Sequence, residues 1–119
     1  MKILVAGSRT INPVTLVATF SMLLNTYSPS VFISGCAEGV DQLPWLFNHM
    51  WKCDIPIAEY PVTEEDWETF GKAAGPMRNE LMAMECDAAI VIWDGKSPGT
   101  KSMLKFLDKY KKPYILWKV

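Results

Sequence analysis

A chain of 119 residues holds one ordinary domain and is too short for two. Half of its residues are hydrophobic and 21% are charged, a globular composition with ample material for a core. A formal net charge of −1 supplies no overall field for DNA or an acidic membrane, so neither a nucleic-acid coat nor membrane association is expected.

Ile3-Leu4-Val5-Ala6 is a continuous apolar run, as expected of a strand buried on both faces, and it stops at Gly7-Ser8-Arg9-Thr10. The run is too short for a signal peptide's apolar core or a membrane span, so a soluble, cytoplasmic protein is expected. Asn12 reads as a helix N-cap with Pro13 at the first helical position, and Val17, Phe20, Leu24 and Tyr27 follow at helical spacing. Val31-Phe32-Ile33-Ser34 is a second strand, broken by Gly35. Val40, Leu43, Phe47, Met50 and Trp51 mark the buried stripe of a second helix, with Pro44 acceptable only in its first turn.

A third strand lies between Ile55 and Tyr60, and Pro56 suggests an edge position. The connection from Pro61 to Gly75 is long for a compact α/β unit and reads as a partly mobile wall that carries Trp67 toward a ligand. Pro76 opens a third helix with the stripe Met77, Leu81 and Met84. Ala88 to Trp93 is the most apolar strand, Asp94 to Gly99 a turn, and Leu104, Leu107 and Tyr110 define the last helix before a fifth strand at Pro113 to Trp117. Alternating strands and helices predict a single α/β, Rossmann-like domain over residues 1–119, with about five parallel strands and helices on both faces. In such sheets the ligand binds beyond the carboxyl ends of the strands, where strand order reverses.

The segments at those ends are Gly7-Ser8-Arg9, Ser34 to Asp41 and Asp94 to Thr100. Each puts glycine and small hydroxyl residues just before a helix, where free N–H groups and the positive dipole end favour phosphate. At any one turn, the glycines are better explained by the turn itself; three turns on one edge point to a ligand. No GxGxxG follows the first strand, and Gly95-Lys96-Ser97 lacks the leading glycine of a P-loop because position 90 is isoleucine. Arg9 suits phosphate or a surface ion pair, and Arg78 reads as lying on the opening turn of a helix, where its charge opposes the dipole. Asp41 and Asp94 are read as ribose contacts or helix caps, and Trp67 and Trp93 as base-stacking faces or core residues. Cys36, Cys53 and Cys86 form neither a disulfide framework nor a CxxC pair, which favours a reducing compartment. The lone His49 lacks zinc-site spacing, so no metal and no cofactor are expected.

Four ordered motifs carry a resemblance. They are Gly7-Ser8-Arg9, then Ser34-Gly35-Cys36-Ala37-Glu38-Gly39-Val40-Asp41, then Trp67-x-x-x-Gly71-x-x-Ala74-Gly75-Pro76-x-Arg78-Asn79-x-x-Met82, and last Asp94-Gly95-Lys96-Ser97-Pro98-Gly99-Thr100. Together they span nearly the whole chain, which resembles the YspA-like branch of the SLOG superfamily, small proteins common in bacteria and phages and related to DprA and the LOG phosphoribohydrolases. The resemblance implies a Rossmann-like fold that binds a nucleotide-derived molecule, often as a homodimer. Tyr114 and Trp117 are candidates for such an interface. Cys36 stands where that family usually has glycine, and Asn12 where aspartate is common. LOG enzymes carry a catalytic glutamate three residues after Gly-Thr, and here that position is Met103, with Lys96-Ser97 replacing paired glycines.

Three functions follow as alternatives. The first is a sensor or binding module for a nucleotide-derived ligand. The second is an enzyme acting on a nucleotide's N-glycosidic bond, with Glu38, Asp41, Glu80 or Asp94 as its carboxylate. The third, a DprA-like single-strand binder, requires a basic groove with stacking aromatics. Lys101, Lys105, Lys109, Lys111 and Lys112 read better as a solvated helix face than as such a groove. Binding is favoured over hydrolysis, and nucleic acid is not expected as a partner.

Overall fold

Five strands form one all-parallel sheet in the order β3-β2-β1-β4-β5, in a computed structural model that describes residues 1–119. The strands are β1 (Lys2–Gly7), β2 (Val31–Ser34), β3 (Ile57–Glu59), β4 (Ala88–Trp93) and β5 (Tyr114–Lys118). β1 lies at the centre, with Leu4 opposite Ile33 of β2 on one side and Ala89 of β4 on the other. The chain runs outward from β1 to β3, then crosses back to place β4 on the far side of β1. Strand order therefore reverses between β1 and β4, in a Rossmann-like arrangement.

Alternation along β1 sends its residues to two cores. Ile3 and Val5 pack with Phe20, Phe32, Val40 and Leu43 beneath α1 (Val17–Leu24) and α2 (Leu43–Trp51). Leu4 and Ala6 pack with Met82, Ala83, Met103 and Leu107 beneath α4 (Ala74–Glu85) and α5 (Pro98–Lys109). Phe20, Phe32 and Phe47 pack as a triplet with ring centroids 5.7–5.9 Å apart. Asn12 caps the 3₁₀ turn Pro13–Leu16 that leads into α1, accepting from the Val14 N–H at 3.1 Å. Pro44 lies in the first turn of α2, as its missing N–H requires, and β3 is an edge strand that begins just after Pro56.

Four expectations need correction. The connection from Pro61 to Gly75 is not an extended loop: it contains α3 (Glu64–Phe70) and a 3₁₀ turn at Gly71–Ala73. Thr63 and Asp66 form a reciprocal capping box at the start of α3, each side chain accepting from the other's backbone N–H. The next helix opens at Ala74 rather than at Pro76, and its buried face is Ala74, Asn79, Met82 and Ala83, whereas Met77, Leu81 and Met84 are exposed. Met50 and Trp51 at the end of α2 are exposed too, and the Trp51 indole donates to the Ser21 hydroxyl at 2.8 Å. No helix is long and apolar enough to cross a membrane.

Candidate cleft at the strand carboxyl ends

The three glycine-containing turns meet on one edge of the sheet. Gly7 ends β1, and a Cβ there would run into the Ile92 carbonyl and the Val40 side chain. Gly39 adopts φ 77°, and a Cβ there would run into the Ser8 and Arg9 carbonyls. These two glycines allow the end of β1 and the 3₁₀ turn Gly39–Gln42 to touch, and Val40 N–H closes the contact on the Ser8 carbonyl at 3.3 Å. Their immediate reason is close packing of the chain on itself.

Several predicted contact residues serve the turns. Ser8 is fully buried, and its hydroxyl accepts from Asp94 N–H at 3.0 Å. The Ser34 hydroxyl, also buried, donates to the Asp41 carbonyl at 2.7 Å and accepts from Cys36 N–H at 3.1 Å. Asp94 accepts from the Lys96 and Ser97 N–H groups at 2.8 and 2.9 Å, and these bonds hold its carboxyl below the usual carboxylate range. It therefore shapes the turn that Gly95 completes at φ 83°. Glu38, Gly95 and Lys96 are exposed outside the cleft, while Gly35 is buried behind it. Trp67, 46% exposed, lies with its ring edge near Gly75 and does not line the cleft; Trp93 does not line it either, and its indole donates to the Ser97 carbonyl at 3.2 Å. Neither tryptophan offers a stacking face to the cleft, and the Pro61 to Gly75 segment is not its wall.

What remains open is a cleft of about 410 Å³ between β1 and β4, at the reversal of strand order. Gly7, Arg9, Ala37, Asp41, Arg78, Asn79, Ser97, Gly99 and Thr100 line it, together with Thr10 and Pro98, and Ala6, Met82 and Met103 add apolar surface. Sequence reasoning did not name Ala6, Thr10 or Met82 as site residues; Pro98 fell within the Asp94 to Thr100 segment, and Met103 was placed only by the resemblance. A helical spacing from Asn79 to Met82 and from Thr100 to Met103 was the available signal for the two methionines.

The α5 opening is the strongest anion feature. Ser97 is the N-cap, Pro98 takes the first position, and the first helical bond runs from Lys101 N–H to the Ser97 carbonyl at 3.2 Å. The Gly99 and Thr100 N–H groups precede it and lack helical acceptors. Thr100 is only 5% exposed, yet its hydroxyl has no protein partner and its side chain lines the cleft. Asn79 fixes this end, donating from Nδ2 to the Gly99 carbonyl at 3.2 Å.

Two cations face the same space. Arg9 is exposed, and the ion pairs within 4 Å, Lys2–Glu85 and Lys109–Glu80, involve neither cleft arginine. Arg78 sits in the second turn of α4 rather than its opening turn. Its Nη1 donates to the Gly35 carbonyl at 2.7 Å and to the Tyr60 carbonyl at 3.4 Å, and its Nε donates to Asn79 Oδ1 at 3.1 Å. Arg78 therefore ties the ends of β2 and β3 to α4 while also lining the cleft.

Among the four carboxylates weighed for chemistry, Asp41 alone lines the cleft. Glu80 is engaged by Lys109 at 3.0 Å and the Tyr110 hydroxyl at 2.7 Å, Asp94 by its turn, and Glu38 is exposed. Asp41 is 7% exposed, and burial pushes its carboxyl up to about 6, against the pull of the Ala37 N–H, Arg78, Arg9 and the Gly7 N–H. No three His, Cys, Asp or Glu side chains converge to hold a metal ion. A larger apolar groove of about 640 Å³ at the amino ends of the strands, beside Tyr27, Phe47 and Trp51, has no charged residue in its lining. Comparison with protein-family models, curated proteins and solved structures found no match to this chain.

Proposed function

We propose that this chain binds a small phosphate-bearing, nucleotide-derived ligand in the cleft between β1 and β4, as a sensor or binding module. The observation that carries the reading is the α5 opening turn. Its free N–H groups, the unpartnered Thr100 hydroxyl and the unpaired Arg9 all address one space, as a phosphate requires. A volume of about 410 Å³ falls in the range of small-ligand sites, and its place at the reversal of strand order is where such sheets hold ligands. The resemblance to YspA-like SLOG proteins agrees with this reading and adds that the ligand is nucleotide-derived.

Binding is favoured over N-glycosidic cleavage because Met103 faces the cleft where a LOG-type enzyme would have its glutamate. A thioether neither takes a proton nor stabilises a cationic sugar. A single-strand nucleic-acid role draws no support from the lysine-rich end. Lys109 pairs with Glu80, and Lys112 donates to the Met84 and Cys86 carbonyls at 3.2 and 2.8 Å.

Mass spectrometry of small molecules released from the purified protein tests the proposal. A phosphate-bearing nucleotide derivative, recovered in reduced amount from Thr100→Val, is the expected result. Release of only non-phosphorylated molecules would overturn it.

A further inference from the structure

We propose that Asp41 is the specificity-determining residue of this cleft, accepting hydrogen bonds from vicinal hydroxyls of a sugar that carries the phosphate. The inference rests on the cleft being a phosphate site and names the part of the ligand that is read opposite the phosphate. The polar groups of the cleft fall into two kinds. Arg9 and the α5 opening are donors and positive. Asp41 is the one anionic acceptor, and no aromatic side chain lines the space to stack a base.

Apart from Nη2 of Arg78, which adds to the positive side of the cleft, the other amide and guanidinium groups are already engaged. Asn79 Oδ1 accepts from Arg78 and its Nδ2 donates to Gly99, while Arg78 Nη1 is held by two backbone carbonyls. Asp41 Oδ2 accepts from Ala37 N–H at 3.2 Å, and the Gly7 N–H also supports the carboxylate. Two oxygens offer about four acceptor positions, so acceptor capacity remains for a ligand. A phosphate beside an ionised carboxylate is repelled, so the dianion belongs at the α5 end and a neutral donor at Asp41. Adjacent hydroxyls span one carboxylate well, and a deoxy sugar lacks one of the two.

The charged and titratable groups that face Asp41 are Arg9 from the β1 exit, Arg78 from α4 and Cys36 from its own loop, with Glu59 of β3 against Cys36. None forms an ion pair with it within 4 Å. The carboxyl titrates near pH 6, and once protonated it is a weaker hydroxyl acceptor. Preference for the diol therefore declines as pH falls through that value.

Calorimetric titration of wild type and Asp41→Asn with inorganic phosphate, ribose 5-phosphate and 2-deoxyribose 5-phosphate, at pH 8 and pH 5, tests this. Wild type at pH 8 is expected to bind the ribose ester about fivefold tighter than the deoxy ester, the ratio one hydrogen bond provides. That ratio shrinks at pH 5, where phosphate ionisation cancels between the two esters. In Asp41→Asn it approaches one while inorganic phosphate still binds. Equal affinity for the two esters in wild type at pH 8, or an undiminished ratio in Asp41→Asn, overturns the proposal. Should that variant fail to fold, a wild-type ratio unchanged between pH 8 and pH 5 overturns it as well. Phosphate binding without sugar preference refutes only this inference, whereas failure of all three probes to bind refutes the phosphate reading with it.

Discussion

Replacing Asp41 with asparagine keeps the size of the side chain and an acceptor for the Ala37 N–H, but removes the buried charge. In the native protein the carboxyl titrates at about 6, against about 3.9 in an unfolded chain. The native state thus holds this proton more tightly than the unfolded state does. Stability from this group is full below about pH 4, declines as pH rises from about 4 to 6, and is constant above. Burial is nearly complete, so solvent screening takes little away, and the full decline is about 3 kcal/mol. Asparagine does not titrate. Asp41→Asn should therefore be about 2.4 kcal/mol better relative to wild type at pH 8 than at pH 4, whatever fixed cost its amide incurs near the Gly7 N–H. Urea denaturation of both proteins from pH 4 to pH 8, followed by tryptophan fluorescence, measures the difference. Parallel stability profiles would refute the buried-carboxylate account.

Arg78→Ala is expected to lose about 1.5–3 kcal/mol of folding stability, the scale of charged hydrogen bonds, as well as phosphate affinity, because the guanidinium joins Gly35, Tyr60 and Asn79. Urea midpoints with and without phosphate separate the two effects; an unchanged midpoint would make Arg78 a ligand residue alone. Gly39→Ala must place a Cβ against two backbone carbonyls at φ 77°, so a loss of more than about 2 kcal/mol should appear in the same assay. Thr100→Val removes a hydroxyl that no protein group uses. Its midpoint should stay within about 0.5 kcal/mol while phosphate affinity falls about fivefold, and a large stability loss would show that the hydroxyl is structural.

The parallel sheet was legible because β1 and β4 are continuous apolar runs punctuated by glycine and small polar residues, and β4 spans Ala88–Trp93 as read. α3 was missed because Glu64–Phe70 is short and carries only two large apolar residues, Trp67 and Phe70; its marks were the Thr63–Asp66 capping pair and an acidic first turn. The face of α4 was misread for a related reason. Met77, Leu81 and Met84 have helical spacing and bulk, but the sheet takes the face with the small residues Ala74 and Ala83, beside Met82 and the polar Asn79. Packing against neighbours, absent from a single sequence, chose between the two stripes. In the cleft, the turns were recognisable from their glycines, but the direction of each polar side chain was not. Ser8, Ser34 and Asp94 turn to satisfy local backbone groups, as buried or half-buried polar chain demands. Asp41, Arg9 and Thr100 are left to face the ligand space.

Backbone amide spectra recorded while inorganic phosphate is titrated into the protein test the central claim most directly. The Gly99 and Thr100 amides, which precede the first helical bond of α5, should move the most and saturably, with Arg9 and Ala37 following. Still resonances at Gly99 and Thr100, or saturable movement confined to the groove beside Tyr27 and Trp51, would contradict a phosphate site at the reversal of strand order.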